Sequence, residues 1–223
     1  MESNRIIVTG HYGSGKTEYA LHEALQKEGS QIYLCDLDVI NPYFRSRDYK
    51  EELEVNGVNL VAPKGDLMKA DLPIVTGEVA MRLNEKDATV IIDVGGDEDG
   101  ATVLGQFAPV IEEMPYEFLF IANMNRPSVA TAEKMISVIR AIELNSRLHV
   151  TGIIHNTHLC GEAVTSEEIH HGETVCQEVS KKLGVPLVAT MIEEELYKEI
   201  SESLIAKEQL IIFKRRLRSP WYV

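Results

Sequence analysis

The sequence predicts a doubly wound α/β fold, a mostly parallel sheet with helices on both faces. Three observations carry the prediction. Short β-branched runs alternate with longer helical patterns along the chain. Several strand runs, such as Val90-Ile91-Ile92 and Gly152-Ile153-Ile154, are apolar throughout rather than alternating. Strands covered on both faces read that way. No repeat, low-complexity tract or linker interrupts the pattern, so residues 1–223 read as one domain.

The strand-like runs are Arg5–Thr9, Gln31–Cys35, Asn59–Ala62, Thr89–Asp93, Glu117–Ala122, Val150–His155 and Pro186–Thr190. Helical patterns fall near 16–28, 42–54, 76–84, 100–113, 128–144, 166–183 and, with breaks, 192–217. Asn41-Pro42 sets a capping side chain before a proline suited to a first turn. Pro127-Ser128 marks another helix start, and Gly184 stands where a left-handed C-cap is expected.

The net charge of −13 argues against a broad nucleic-acid surface, which needs clustered Lys and Arg. The N-terminus runs from MESNR directly into a strand-like segment, unlike a secretory signal. No apolar stretch approaches the roughly 18–20 residues that a membrane-spanning helix needs. Cys35, Cys160 and Cys176 are odd in number and lack CxxC spacing, so reduced thiols in a cytoplasmic protein are expected.

Residues Gly10-His-Tyr-Gly-Ser-Gly-Lys16-Thr17 fit the spacing GxxxxGK[ST] between an apolar strand and an amphipathic helix. Gly13 and Gly15 allow a tight turn whose N–H groups converge on phosphate oxygens. The following helix adds the positive end of its dipole. Lys16 is expected to reach the β- and γ-phosphates, and Thr17 to offer its hydroxyl to Mg²⁺. The expected nucleotide contacts are Gly10, His11, Tyr12, Gly13, Ser14, Gly15, Lys16, Thr17 and Glu18. The bland alternative, a glycine-rich turn with a chance lysine, does not account for the strand–loop–helix context. The motif implies a nucleoside triphosphate but not a reaction.

Two further strand runs end in acids. Asp36 and Asp38 close "IYLCDLD", and Asp93 closes "TVIID". Parallel sheets bind ligands at the carboxyl ends of their strands, which brings these acids to the phosphate edge. Asp93 is expected to help hold Mg²⁺, with Thr17 and Asp38. Asp38 is expected to orient or deprotonate an attacking water. Gly96 completes Asp-x-x-Gly, so that a backbone N–H can approach a γ-phosphate. A solvated turn or helix cap is the alternative for each acid, strongest for Asp36. Asp97, Glu98 and Asp99 read as a solvated loop that can also switch beside Gly95, Gly96 and Gly100.

The loop, "LCDLDVINP", "VIIDVGG", "IANMNRPSVATAEK" and "TGIIHNTHL" occur in an order that resembles MinD/ParA/CobQ-type P-loop ATPases. These share a broad class with the nitrogenase iron protein and the signal-recognition GTPases. The resemblance spans about residues 5 to 190. It implies that Lys16 and Thr17 are the Walker A pair, Asp38 the switch I aspartate and Asp93 the Walker B aspartate. It further implies that Asn156 reads the adenine edge, with Pro127 and Ser128 by the base pocket. Dimer-forming members carry a second loop lysine where this chain has His11. A homodimer built on that lysine is therefore placed in doubt. The run after Asp93 is DVGGD rather than a DTPPG-like one.

A guanine reader needs Asn-Lys-x-Asp. Neither "NMNR" at 123–126 nor "NTHL" at 156–159 supplies the aspartate, so ATP (or ADP) is favoured over GTP. His155, His158, His170 and His171 show no metal spacing and read as surface residues. The basic C-terminus "LIIFKRRLRSPWYV" is expected to be a last helix packed on the sheet, with a membrane-surface helix as the lesser alternative.

Three functions compete. The first is a slow Mg²⁺-dependent ATPase acting as a nucleotide switch with an unknown protein partner. The second is a small-molecule phosphotransferase using Tyr43, Arg45 and Arg47 near the phosphate edge. The third is a nucleotide-gated binding module with little turnover.

Overall fold

The computed structural model describes residues 4–29, 31–38, 46–62, 77–158, 164–200 and 210–217. The chain opens with β1 (Arg5–Thr9), α1 (Lys16–Gln26) and β2 (Ile32–Leu37). A 3₁₀ turn (Ser46–Tyr49) leads into α2 (Lys50–Val55) and β3 (Val58–Val61). Next come α3 (Gly77–Leu83), β4 (Thr89–Val94), α4 (Glu98–Gly105), α5 (Ala108–Ile111) and β5 (Glu117–Ala122). The chain continues through α6 (Ala132–Ser146), β6 (Gly152–Asn156), α7 (Ser166–Leu183), β7 (Leu187–Glu193), α8 (Glu194–Ile200) and β8 (Leu210–Phe213).

The eight strands form one parallel sheet in the order β3-β2-β4-β1-β5-β6-β7-β8. This is the predicted α/β architecture of the P-loop NTPase class. β1 lies between β4 and β5, where the winding reverses, and ligands bind beyond the carboxyl ends of strands at such a point. Successive side chains point to opposite faces, and both faces are buried. Ile7, Ile92 and Phe120 join the core beneath α4, α6 and α7, while Ile6, Val8, Ile91 and Ile121 join the one beneath α1. The unbroken apolar runs follow from that double cover.

Local chemistry sets the helix ends. Asp97 caps α4 by accepting from the Gly100 N–H at 2.8 Å. Thr165 and Glu168 form a reciprocal capping box on α7, which ends at Gly184 with φ 70°. Arg5, fully buried in β1, donates to the carbonyls of Leu83, Glu85 and Ala88, tying the central strand to the turn before β4.

Several sequence expectations are corrected. Helix α6 starts at Ala132 because Thr131 caps it, not at Pro127-Ser128. The 100–113 pattern splits into α4 and α5, with Pro109 in the first turn of α5. Of the 42–54 helix, Ser46–Tyr49 is 3₁₀ and only Lys50–Val55 is α; residues 41–45, including Asn41-Pro42, lie outside the described residues. The largest correction is at the C-terminus. Leu210–Phe213 is a strand paired with Thr190–Glu193, not a helix or an amphipathic membrane segment. A four-residue apolar run suits an edge that needs backbone partners, and that demand overrides the helical spacing. Among the described residues no helix is long and apolar enough to cross a membrane.

Candidate nucleotide-binding site

The loop between β1 and α1 turns on glycines with positive φ at residues 10, 13 and 15. Gly15, at φ 93°, is the N-cap of α1, and a Cβ there would overlap the amide of Asn156. Three side chains from distant elements grip the outside of the loop. Arg126 Nε donates to the Gly13 carbonyl at 2.9 Å, and Asn123 Nδ2 reaches the same oxygen at 3.3 Å. Asn156 Nδ2 donates to the Ser14 carbonyl at 2.7 Å. The Ser14 N–H closes the turn on the His11 carbonyl at 2.9 Å, and the anchored carbonyls hold the loop in the curved form that suits an anion.

Lys16 and Thr17, the first residues of α1, are both buried. Lys16 Nζ lies 2.6 Å from Asp38 Oδ2. Burial alone would depress the ammonium's pKa, but the nearby carboxylates of Asp38 and Asp93 outweigh it and raise the value. Asp93 is completely buried and accepts from Ser46 Oγ at 2.7 Å through Oδ2. Burial pushes its carboxyl well above the ordinary range, reinforced by Asp38 and Asp36 and opposed by Lys16. Asp36, also buried, accepts from the Asp38 N–H at 3.2 Å. Gly96 packs so tightly that a Cβ would overlap the Gly10 carbonyl, which brings the Asp-x-x-Gly segment against the start of the loop.

Among the described residues, Thr17 Oγ1 and Asp93 Oδ1 are buried oxygens without a hydrogen-bond partner. Such atoms are costly unless something completes them. One hydroxyl and one carboxylate oxygen are the hard donors that Mg²⁺ takes alongside phosphate oxygens. No cage of three or more His, Cys, Asp or Glu side chains occurs among the described residues. The donors present therefore fit Mg²⁺ carried with a phosphate, not a metal held by protein alone.

Other expected site residues fall differently. Asn156 ends β6 as expected, but its amide nitrogen is engaged by the loop. Pro127 is exposed, and its carbonyl accepts from Lys134 Nζ at 2.9 Å. His11 is half-buried, and its Nδ1 lies 3.3 Å from the Tyr12 carbonyl. The Glu18 carboxylate turns to the C-terminal segment, accepting the N–H groups of Arg216 at 2.9 Å and Leu217 at 2.8 Å. His155 is not a surface residue: it is fully buried, and burial lowers its pKa to about 3. Cys35 and Cys176 are buried free thiols, while Cys160, Tyr43 and Arg45 lie outside the described residues. Sequence reasoning missed Ser46 and Arg126, whose partners lie 47 and 113 residues away.

No family model matches the chain, and no curated protein sequence matches it. Solved structures do. The structure resembles FtsY from Mycoplasma mycoides with TM-score 0.57 and 16% identity, over 86% of this chain and 62% of that one. It resembles the Thermotoga maritima cell division protein FtsY with TM-score 0.55 and 18% identity, over 84% and 60%. The signal recognition particle receptor FtsY from Elizabethkingia anophelis, in complex with GDP, matches with TM-score 0.54 and 18% identity, over 86% and 58%. The chain thus spans about three fifths of the length of the structures it matches. At these identities the likeness shows the fold, an α/β P-loop NTPase fold.

Proposed function

We propose that this protein binds a nucleoside triphosphate with Mg²⁺, hydrolyses it slowly and works as a nucleotide switch in the cytoplasm. The observation that carries the reading is the pairing of a glycine loop with buried, unpartnered oxygens on Thr17 and Asp93. In this reading Thr17 and Asp93 hold the metal, and Lys16 binds the terminal phosphates. Bound there, Mg²⁺ would offset phosphate charge in transfer to water. Asp38, expected as a third metal ligand, is instead engaged by Lys16. It is released to orient or deprotonate water when Lys16 turns to phosphate. Gly96, packed on Gly10, gives the Asp-x-x-Gly segment a direct route to sense the γ-phosphate. The GDP-bound FtsY relative supports a nucleotide in this fold.

We assign ATP rather than GTP because an Asn-Lys-x-Asp reader is lacking, and we place the chain in the MinD/ParA-like branch on its motif order. Binding and phosphate release are measured on one sample with ATP and GTP, with and without Mg²⁺, against Lys16→Ala. ATP-selective, Mg²⁺-dependent binding with slow release, lost in the variant, is expected. A GTP preference overturns the base assignment, and no binding of either nucleotide overturns the whole reading.

A further inference from the structure

The two candidate magnesium donors come from different elements, and each is tied to something outside the phosphate edge. After Thr17, at the start of α1, stands Glu18, whose carboxylate oxygens accept the N–H groups of Arg216 at 2.9 Å and Leu217 at 2.8 Å. Asp93, near the end of β4, presents Oδ1 without a hydrogen-bond partner, while its Oδ2 accepts from Ser46 Oγ at 2.7 Å. Ser46 is completely buried and opens the 3₁₀ turn that ends at Tyr49. Tyr49 Oη in turn donates to the Arg216 carbonyl at 2.9 Å.

The two branches therefore meet at one residue. The Arg216 N–H holds the helix that carries Thr17, and the Arg216 carbonyl holds the turn that carries Ser46. Thr17, Glu18, Arg216, Tyr49, Ser46 and Asp93 form a closed ring of covalent and hydrogen-bonded steps. The Arg216 guanidinium also pairs with Glu52 at 3.0 Å, but the Glu52 side chain is 42% exposed, and such a pair contributes little. The backbone bonds matter more. Glu18 is buried, so breaking its two charge-assisted bonds would leave a desolvated carboxylate. The Ser46 bond, made to a buried carboxylate, fixes the Asp93 side chain and so aims Oδ1. Tyr49 and Leu217 both pack on the apolar cluster beneath α1, which keeps the turn and the segment seated.

We propose that Ser46 is a positioning residue for Asp93, and that the segment 214–217, through the Arg216 backbone, holds the Ser46–Tyr49 turn where Thr17 and Asp93 can share one ion. The proposal rests on the reading of this site as one for a nucleotide with Mg²⁺. Docking of the C-terminal segment and binding of the Mg²⁺-nucleotide then strengthen each other by the same factor. Whatever lifts the segment weakens the metal-bound state without touching the glycine loop.

The full chain is titrated with Mg²⁺ in the presence of a non-hydrolysable ATP analogue, and amide exchange of Arg216 and Leu217 is followed with and without both ligands. Tyr49→Phe, which removes only the hydroxyl, should raise the half-saturating Mg²⁺ about fivefold while affinity for the analogue without Mg²⁺ is kept. Ser46→Ala should raise it about tenfold. The double variant should be no weaker than Ser46→Ala alone, because both changes open the same ring. In the native chain Mg²⁺ with the analogue should slow exchange of the two amides at least about threefold, and Tyr49→Phe should abolish the slowing. Unchanged Mg²⁺ dependence in both single variants, equal loss of analogue binding with and without Mg²⁺, or additive effects in the double variant overturns the proposal. If the native chain shows no Mg²⁺-dependent binding, the nucleotide reading falls instead, and the ligand-free chain still decides whether Ser46 and Arg216 are linked. There Ser46→Ala should speed exchange of the Arg216 and Leu217 amides about threefold, and unchanged exchange overturns the link.

Discussion

The Lys16 ammonium lies 2.6 Å from Asp38 and is buried with it, so any phosphate that takes the lysine must compete with a carboxylate. Asp38→Asn removes both that competitor and its repulsion of phosphate. Triphosphate should then bind about tenfold more tightly, ~1.4 kcal/mol. If Asp38 acts as the base, phosphate release should fall at least about a hundredfold. Unchanged release would strip Asp38 of its catalytic role. Asp93 makes a second prediction. Its carboxyl pKa is raised chiefly by burial, so its contribution to stability is present at low pH and lost as pH rises through the raised value. Without ligand, Asp93→Asn should match the native chain near pH 4 and melt at a higher temperature near pH 8. It should also lose Mg²⁺-dependent nucleotide binding. A melting advantage that shrinks with rising pH would contradict the assignment. Arg126→Ala leaves the Gly13 carbonyl with only the longer Asn123 bond. Nucleotide affinity should fall by about five- to tenfold, near 1 kcal/mol; wild-type affinity would show that the arginine does not shape the loop.

At the scale of elements, helix α1 joins the loop to the C-terminal segment. Lys16 and Thr17 face the phosphate edge, while the next residue, Glu18, receives two N–H groups from the segment after β8. Tyr49 Oη donates to the Arg216 carbonyl at 2.9 Å, and Arg216 pairs with Glu52 at 3.0 Å. Arg215 pairs with Glu193 at 2.7 Å. Glu18→Gln leaves a side chain with one acceptor oxygen where two N–H groups converge. The Arg216 and Leu217 amides should then exchange about tenfold faster, ~1.4 kcal/mol of lost protection. Unchanged exchange would show that the segment is held by its other contacts. The helix-like spacing of 210–217 misled the sequence reading because an edge strand of four residues carries little periodicity. Its pairing with β7 is a long-range event. By contrast α7 was legible, since its apolar spacing and its Gly184 C-cap act within one helix.

Across the whole molecule, the two buried faces of the sheet explain why so many strands show no alternation. Phe213 of β8 belongs to the core beneath α1, although it comes from the far end of the described chain. Phe213→Ala should therefore cost about 3–4 kcal/mol, lowering the melting temperature by roughly 10 °C. A shift under about 2 °C would mean that the last strand is not part of the cooperative unit.

The sequence by itself determined the parallel α/β architecture, the glycine loop and the acids at the strand ends. Each of these rests on residues within one element or one turn, where spacing encodes geometry directly. Only the tertiary structure decided which carbonyls Asn123, Arg126 and Asn156 grip, and that Glu18 faces the C-terminal segment. It alone showed that Lys16 meets Asp38 and that Ser46 reaches Asp93. These depend on winding and packing that bring together residues up to 199 positions apart, and no local pattern of apolar or polar residues specifies such a meeting.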